Sequence, residues 1–253
     1  WKLYADNLAG THALVEAGLL GGALRRFVFS SSAFALGFSH VARGAGAFAP
    51  AVLPLTEADA PRPHESYGLS KAACEELLAC AARTSASTSF VSLRFPNIIK
   101  RERWAELPWP SPDPKDPASA ENVLLWNYVH EDDVIGAHVE AAARGNEAAA
   151  PGEHEVYHVA APDLRFAEGT LALLEGVQGL DVGAIERRPA LLPPGVDNFS
   201  VLCSHKATER LGVRFRSWQG EAAIPAPAPA PTPTPGADDV RRGSAVARQG
   251  LAE

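Results

Sequence analysis

Tyr67 and Lys71 come closest to a chemical pair by residue type and spacing. On a helix, positions i and i+4 share a face, so the phenol and the ammonium point the same way. A free phenol ionises at about pH 10 and is a poor base at neutrality. A neighbouring ammonium stabilises the phenolate, and such a pair can exchange a proton with a substrate hydroxyl or carbonyl. By itself the pair is weak evidence. Four Tyr and five Lys in 253 residues give this spacing by chance roughly 8% of the time. A helix start carrying a solvated Lys explains it equally well.

The surrounding elements strengthen the pair. Helical spacing of apolar residues runs from Asn7 to Ala17 and ends at Gly18 to Gly22. Arg26 to Ser30 contains the apolar run Phe27-Val28-Phe29, a buried strand. Tyr67 to Arg83 is a helix, Phe90 to Phe95 a strand, Asp133 to Ala143 a helix and Glu155 to Ala160 a strand. Helices over Ala167 to Val177 and Cys203 to Leu211 follow. Alternating strands and helices predict an α/β fold, a parallel sheet with flanking helices. Such sheets present function at the carboxyl ends of their strands. Ser30-Ser31-Ser32 sits at one such end. The plain alternative is a polar turn that satisfies backbone groups.

The order Asn7-x-x-Gly10-Thr11, Arg26-Phe-Val-Phe-Ser30-Ser31-Ser32, Glu57 with Pro61-x-Pro63, Tyr67-Gly-Leu-Ser-Lys71, Ser92-Leu-Arg-Phe95-Pro96-Asn97 and Tyr128-Val-His-Glu-Asp-Asp133-Val134 resembles the extended short-chain dehydrogenase/reductases. Within these it looks most like the NAD-dependent epimerase/dehydratase group, over about residues 1 to 215. The resemblance implies a Rossmann-like sheet with a small C-terminal substrate-binding part, and NAD or NADP as cofactor. It implies Tyr67 as catalytic acid/base, with Lys71 holding the nicotinamide ribose hydroxyls and stabilising the phenolate. Ser32 would hydrogen-bond the reacting oxygen. Asn7, Ser30, Ser31, Phe95 and Pro96 would line the cofactor, and Asn97 the substrate. Nucleotide sugars are the implied substrate class, and a homodimer through the Tyr67 helix and its neighbour the implied assembly.

Departures from the family pattern narrow the reading. Where dehydratases of the group carry Thr-Asp-Glu, this chain has Ser32-Ala33-Phe34, which disfavours 4,6-dehydration. Leu36 stands where many epimerases have Tyr, before Gly37, and a long loop rich in Gly and Ala follows to Pro54. No Gly-rich turn after a first strand cradles a pyrophosphate. The chain has no Met and begins at Trp1, so a fragment or a gene model without its start is expected. The N-terminal strands and the Gly-rich turn would lie upstream, on the order of 90 residues.

Other groups carry less. His130-Glu131-Asp132-Asp133 holds metal-ligand residue types but reads as a strand end with Asp133 capping the next helix. His154 and His158 share a strand face without a recognised zinc spacing, so no metal is expected. Trp104, Trp109 and Trp126 line a pocket or cap the core, and Arg101 and Arg103 read as solvated arginines. A net charge of −7 and no basic run exclude a nucleic-acid footprint. No apolar run reaches the ~20 residues of a membrane span. Three cysteines without a pairing pattern fit a reducing, cytoplasmic compartment.

Pro225 to Pro235 alternates Pro with Ala or Thr, which joins neither helix nor ladder. Residues 1–222 are therefore expected to form the folded part, a partial dinucleotide-binding domain with its substrate-binding portion, and residues 223–253 a disordered tail. The expected activity is hydride transfer at a hydroxyl or keto carbon of a nucleotide sugar or related small molecule. The competing reading is a non-catalytic Rossmann-like binding or scaffold module that lacks a complete cofactor site.

Overall fold

A computed structural model describes residues 1–37, 49–111, 126–192 and 195–220. Three parallel strands form its centre: β1 (Arg26–Ser32), β3 (Ser89–Phe95) and β6 (His154–His158), in the order β1-β3-β6. Their register places Ser32 opposite Phe95 and Arg94 opposite His158. Successive strand residues face opposite sides, and the two sides are built differently. Helices α1 (Lys2–Leu20) and α2 (Ser66–Thr84) cover one face, where Phe27, Phe29 and Phe90 meet Val15, Leu78 and Ala82. On the other, α3 (Glu131–Ala143) and α5 (His205–Leu211) pack Ala137, Ala141, Ala207 and Leu211 on Val91, Leu93 and Tyr157.

Beyond the sheet lies a further apolar cluster. A 3-10 turn (Ala33–Leu36) follows β1 and buries Phe34 and Leu36 with Leu53, Trp126, Phe166 and Leu174. Two short parallel pairs frame it: β2 (Val52–Leu53) with β7 (Glu186–Arg187), and β4 (Asn97–Ile99) with β5 (Tyr128–His130). Helix α4 (Thr170–Gly176) closes this part through Leu173 and Leu174. Trp126 is fully buried edge-on against Phe166, so it fills the core.

Several boundaries differ from the pattern reading. Helix α1 runs through Gly18 and stops only where Gly22 takes φ +69 and donates to the Leu19 carbonyl. A glycine inside a helix costs ~1 kcal/mol, which a packed face absorbs, whereas a left-handed residue ends the helix. The cap of α3 is also reassigned. His130 Nδ1 accepts from the Asp132 N–H at 3.0 Å, while Asp133 lies inside the helix and accepts from the Arg216 N–H at 2.7 Å. Strand β6 ends at His158, and α4 and α5 start at Thr170 and His205. Arg101 pairs with Asp132, and Arg103 lies over the Trp109 ring at 4.4 Å while pairing with Glu106. Of the expected Gly37–Pro54 loop, residues 38–48 fall outside the described residues. So does the whole expected tail.

Among the described residues, no helix is long and apolar enough to cross a membrane.

Candidate active site

Two close approaches bring the end of β1 against the start of α2. Gly68 lies against the 3-10 turn, where a Cβ would fall inside the contact radius of the Phe34 carbonyl oxygen and 3.0 Å from its carbon. Gly37 ends the turn at φ +106, and a Cβ there would strike the Arg62 carbonyl. Only glycine fits both conditions at position 37. The Arg62 N–H donates to the Ala35 carbonyl at 3.0 Å, tying the Pro-rich lead into α2 to the same turn. Glu65 caps α2, accepting from the N–H groups of Tyr67 and Gly68. Carboxylate capping satisfies orphan donors and suits the positive end of the helix dipole. The first turn of α2 is thus held from three sides.

Tyr67 lies in that turn, its ring edge-on to Phe34 with centroids 5.7 Å apart. Lys71 follows one turn later. Its Nζ is 5.6 Å from the Tyr67 ring centroid, 4.9 Å from that of Phe29, and donates to the Ser30 carbonyl at 2.8 Å. Burial pushes the Lys71 ammonium below its ordinary pKa, opposed by its electrostatic interaction with Cys74 and Glu75. Ser32 is buried at the end of β1, and its Oγ accepts from the Phe34 N–H at 3.2 Å. That bond uses a lone pair, so the Ser32 hydroxyl hydrogen is available to a ligand oxygen.

The remaining expected residues divide. Phe95 stands beside Ser32 in the ladder, its ring 5.4 Å from that of His138. Pro96 follows half-buried, and Asn97 is half-buried on β4. Ser30 Oγ meets His138 Nε2 at 2.9 Å. Ser31 points to the opposite face and donates to Glu75 at 2.5 Å in a buried contact. Asn7 donates to Ser70 Oγ at 2.9 Å, in the seam between α1 and α2. The structure therefore ties Lys71 to the Ser30 carbonyl and packs Tyr67 on Phe34 in the turn that Ser32 caps, and it commits the side chains of Ser30, Ser31 and Asn7 to internal contacts.

A buried polar network beneath this site was not singled out from the sequence. Glu75 pairs with Arg94 at 2.6 Å, both nearly inaccessible. Ser92 meets His154 at 2.8 Å, and Glu57 accepts from the His158 N–H at 2.7 Å. Burial holds His154 down at about 4 and His158 at about 3, and pushes Glu57 up. One signal was available. An arginine inside the apolar strand Ser89–Phe95 demands a buried carboxylate, and Glu75 repeats the i, i+4 spacing after Lys71. Among the described residues no group of His, Cys, Asp and Glu could hold a metal ion.

Comparison with known proteins agrees with this architecture. Residues 1–103 match the model of the NAD dependent epimerase/dehydratase family. No curated protein matches the chain. Among solved structures, a UDP-galactose 4-epimerase superposes with TM-score 0.51 at 19% identity, covering 85% of this chain and 65% of that one. A short-chain dehydrogenase/reductase superfamily protein from Agrobacterium tumefaciens with bound NAD gives TM-score 0.54 at 21% identity, over 85% and 70% of the two chains. MoeE5 in complex with UDP-glucose and NAD gives 0.50 at 19%, over 85% and 68%. The chain thus spans just under two thirds of the UDP-galactose 4-epimerase, and at these identities the likeness is one of fold. The likeness to the NAD dependent epimerase/dehydratase family thus lies in residues 1–103, and beyond them it is one of fold.

Proposed function

We propose that this chain carries the catalytic Ser-Tyr-Lys site of a nicotinamide-dependent oxidoreductase of the epimerase type, acting at a hydroxyl or keto carbon of a nucleotide sugar. The observation that supports the reading is the close packing of the start of α2, which carries Tyr67 and Lys71, on the turn that Ser32 caps at the carboxyl end of β1, through the Gly68 contact with Phe34 and the Lys71 bond to the Ser30 carbonyl. The family match and the fold of UDP-sugar epimerases support it.

The donor set fits the nicotinamide-riboside end of NAD or NADP. Lys71 supplies an ammonium, and Ser30 and Tyr67 supply hydroxyls, beside an edge of β1 that has no second strand partner among the described residues. A Gly-rich phosphate turn after a strand does not occur among the described residues. When bound, the nicotinamide supplies a two-electron acceptor for hydride from the sugar carbon. The protein's own part is proton handling and orientation. Tyr67 Oη takes the proton of the sugar hydroxyl and returns it on reduction. Lys71, desolvated and 5.6 Å from the ring centroid, places its positive charge beside the phenol. Ser32 donates its free hydroxyl hydrogen to the same sugar oxygen and holds it toward Tyr67. Phe34 and Leu36, both buried, keep water from the turn. Ala33 and Phe34 are buried where dehydratases place acids, so epimerisation or simple dehydrogenation is favoured over dehydration.

The test is conversion of UDP-galactose to UDP-glucose with NAD, followed by chromatography together with absorbance of reduced cofactor. An epimerase gives isomerised sugar nucleotide without steady accumulation of NADH. A dehydrogenase accumulates NADH. Neither product, with no NAD or NADP binding, favours the second reading, a Rossmann-like binding or scaffold module. We also propose self-association through α1 and α2. These helices pair with each other and leave Leu3, Leu14 and Leu69 exposed, which sedimentation velocity can check.

A further inference from the structure

Glu75 lies one helical turn beyond Lys71 and two beyond Tyr67, on the same face of α2. One of its carboxylate oxygens accepts from Ser31 Oγ at 2.5 Å and from Arg94 Nε at 2.9 Å. The other accepts from Arg94 Nη2 at 2.6 Å. Ser31 directly precedes Ser32 on β1. Arg94 directly precedes Phe95 on β3, and Ser32 and Phe95 are ladder partners. A single buried carboxylate therefore ties together the three elements whose ends form the candidate site.

We propose that Glu75 is the positioning residue of this site: by holding Ser31 and Arg94 at once, it fixes the ends of β1 and β3 against α2 and so sets the placement of Tyr67 and Lys71 relative to Ser32. The inference rests on the proposed function for its catalytic consequence but not for its geometry. Charge-assisted hydrogen bonds are short and directional. A buried ion pair adds little net stability over a well-packed apolar replacement, although breaking it from one side leaves a costly buried charge. The value of Glu75 then lies in geometry, and stability and geometry can be separated by experiment.

Two variants separate them. Ser31→Ala cuts the link to β1 and leaves the ion pair in place. The triple change Ser31→Ala, Glu75→Leu, Arg94→Met replaces the whole cluster with apolar groups of similar size, which folding tolerates better than a lone buried charge. The protein is labelled with 13C at tyrosine Cζ, and the four tyrosine signals are assigned with Tyr67→Phe. The Tyr67 signal is expected to move or broaden in both folded variants while those of Tyr128 and Tyr157 stay in place. Turnover of the triple variant is expected to fall at least about tenfold, with KM for the sugar nucleotide within about threefold of the parent. An unmoved Tyr67 signal in folded Ser31→Ala or in the folded triple variant overturns the proposal, as does full turnover in either. If the Tyr67 signal moves but the parent turns over no sugar nucleotide, the proposed function falls and the positioning role stands.

Discussion

Gly68→Ala probes how tightly the proposed catalytic spacing depends on one contact. The new Cβ would sit 3.0 Å from the Phe34 carbonyl carbon and closer still to its oxygen. Carbon atoms rest at about 3.5–4.0 Å, so the start of α2 must retreat by roughly 0.5–1 Å. Neither neighbour can swing aside, because both are backbone and the turn is pinned by the Arg62–Ala35 hydrogen bond. Overpacking of this kind costs about 1–3 kcal/mol, while replacing glycine inside a helix returns up to ~1 kcal/mol. The net loss of stability is therefore about 0–3 kcal/mol, which leaves the protein folded. Tyr67 rides on the displaced turn, and a misplacement of about 1 Å can cost on the order of a hundredfold in rate. Urea unfolding and kcat for UDP-galactose conversion, measured on the same preparation, give the comparison. A kcat within about threefold of the parent in a folded Gly68→Ala protein would show that the glycine contact does not set the spacing.

Other expectations follow from the same geometry. Lys71→Met should lower turnover more than about tenfold and weaken nicotinamide binding, and Lys71→Arg should not restore it, because a planar guanidinium replaces a point charge; fluorescence titration and steady-state rates check both. Burial holds His154 and His158 at about 4 and about 3 in the folded chain, below the ordinary value of 6.5. The unfolded chain therefore binds more protons in that window, and stability should fall as pH drops from about 6.5 toward 4. Urea midpoints across the range test this, and a flat profile would contradict it. Asp59 is held at about 2, against 3.8 ordinarily, by its hydrogen bonds to Arg188 and Thr56. Its contribution is complete above about pH 4 and lost on the way down to about pH 2, so Asp59→Asn should remove that part of the acid sensitivity.

How much of this was legible in the sequence depended on the range of the interaction. Phe27-Val28-Phe29 marked β1 and the Tyr67–Lys71 spacing marked α2 because both signals are local. That the sheet is parallel followed from the alternation of elements, and the pairing of β1 with β3 came with the fold. Helix ends were less legible: Gly18 reads as a stop, yet Leu24 packs against it and the left-handed residue comes four positions later. At α3, two capping residue types compete, and the distant Arg216 draws Asp133 into an internal ion pair, leaving the cap to His130. Within the site, Ser31 and Ser32 look alike in sequence. The strand pleat separates them, sending Ser31 to Glu75 and Ser32 to the turn. The Glu75–Arg94 pair joins residues 19 apart, and only the fold shows that they meet beneath the site.

The central claim is that Tyr67 moves the substrate proton while its neighbours hold the ligands. The most direct measurement compares the parent with Tyr67→Phe for both NAD binding and UDP-galactose turnover. Loss of one hydroxyl should lower turnover by about 10²- to 10⁴-fold and leave NAD affinity nearly unchanged. Retained turnover in Tyr67→Phe, or an equal loss of binding and turnover, would contradict the account.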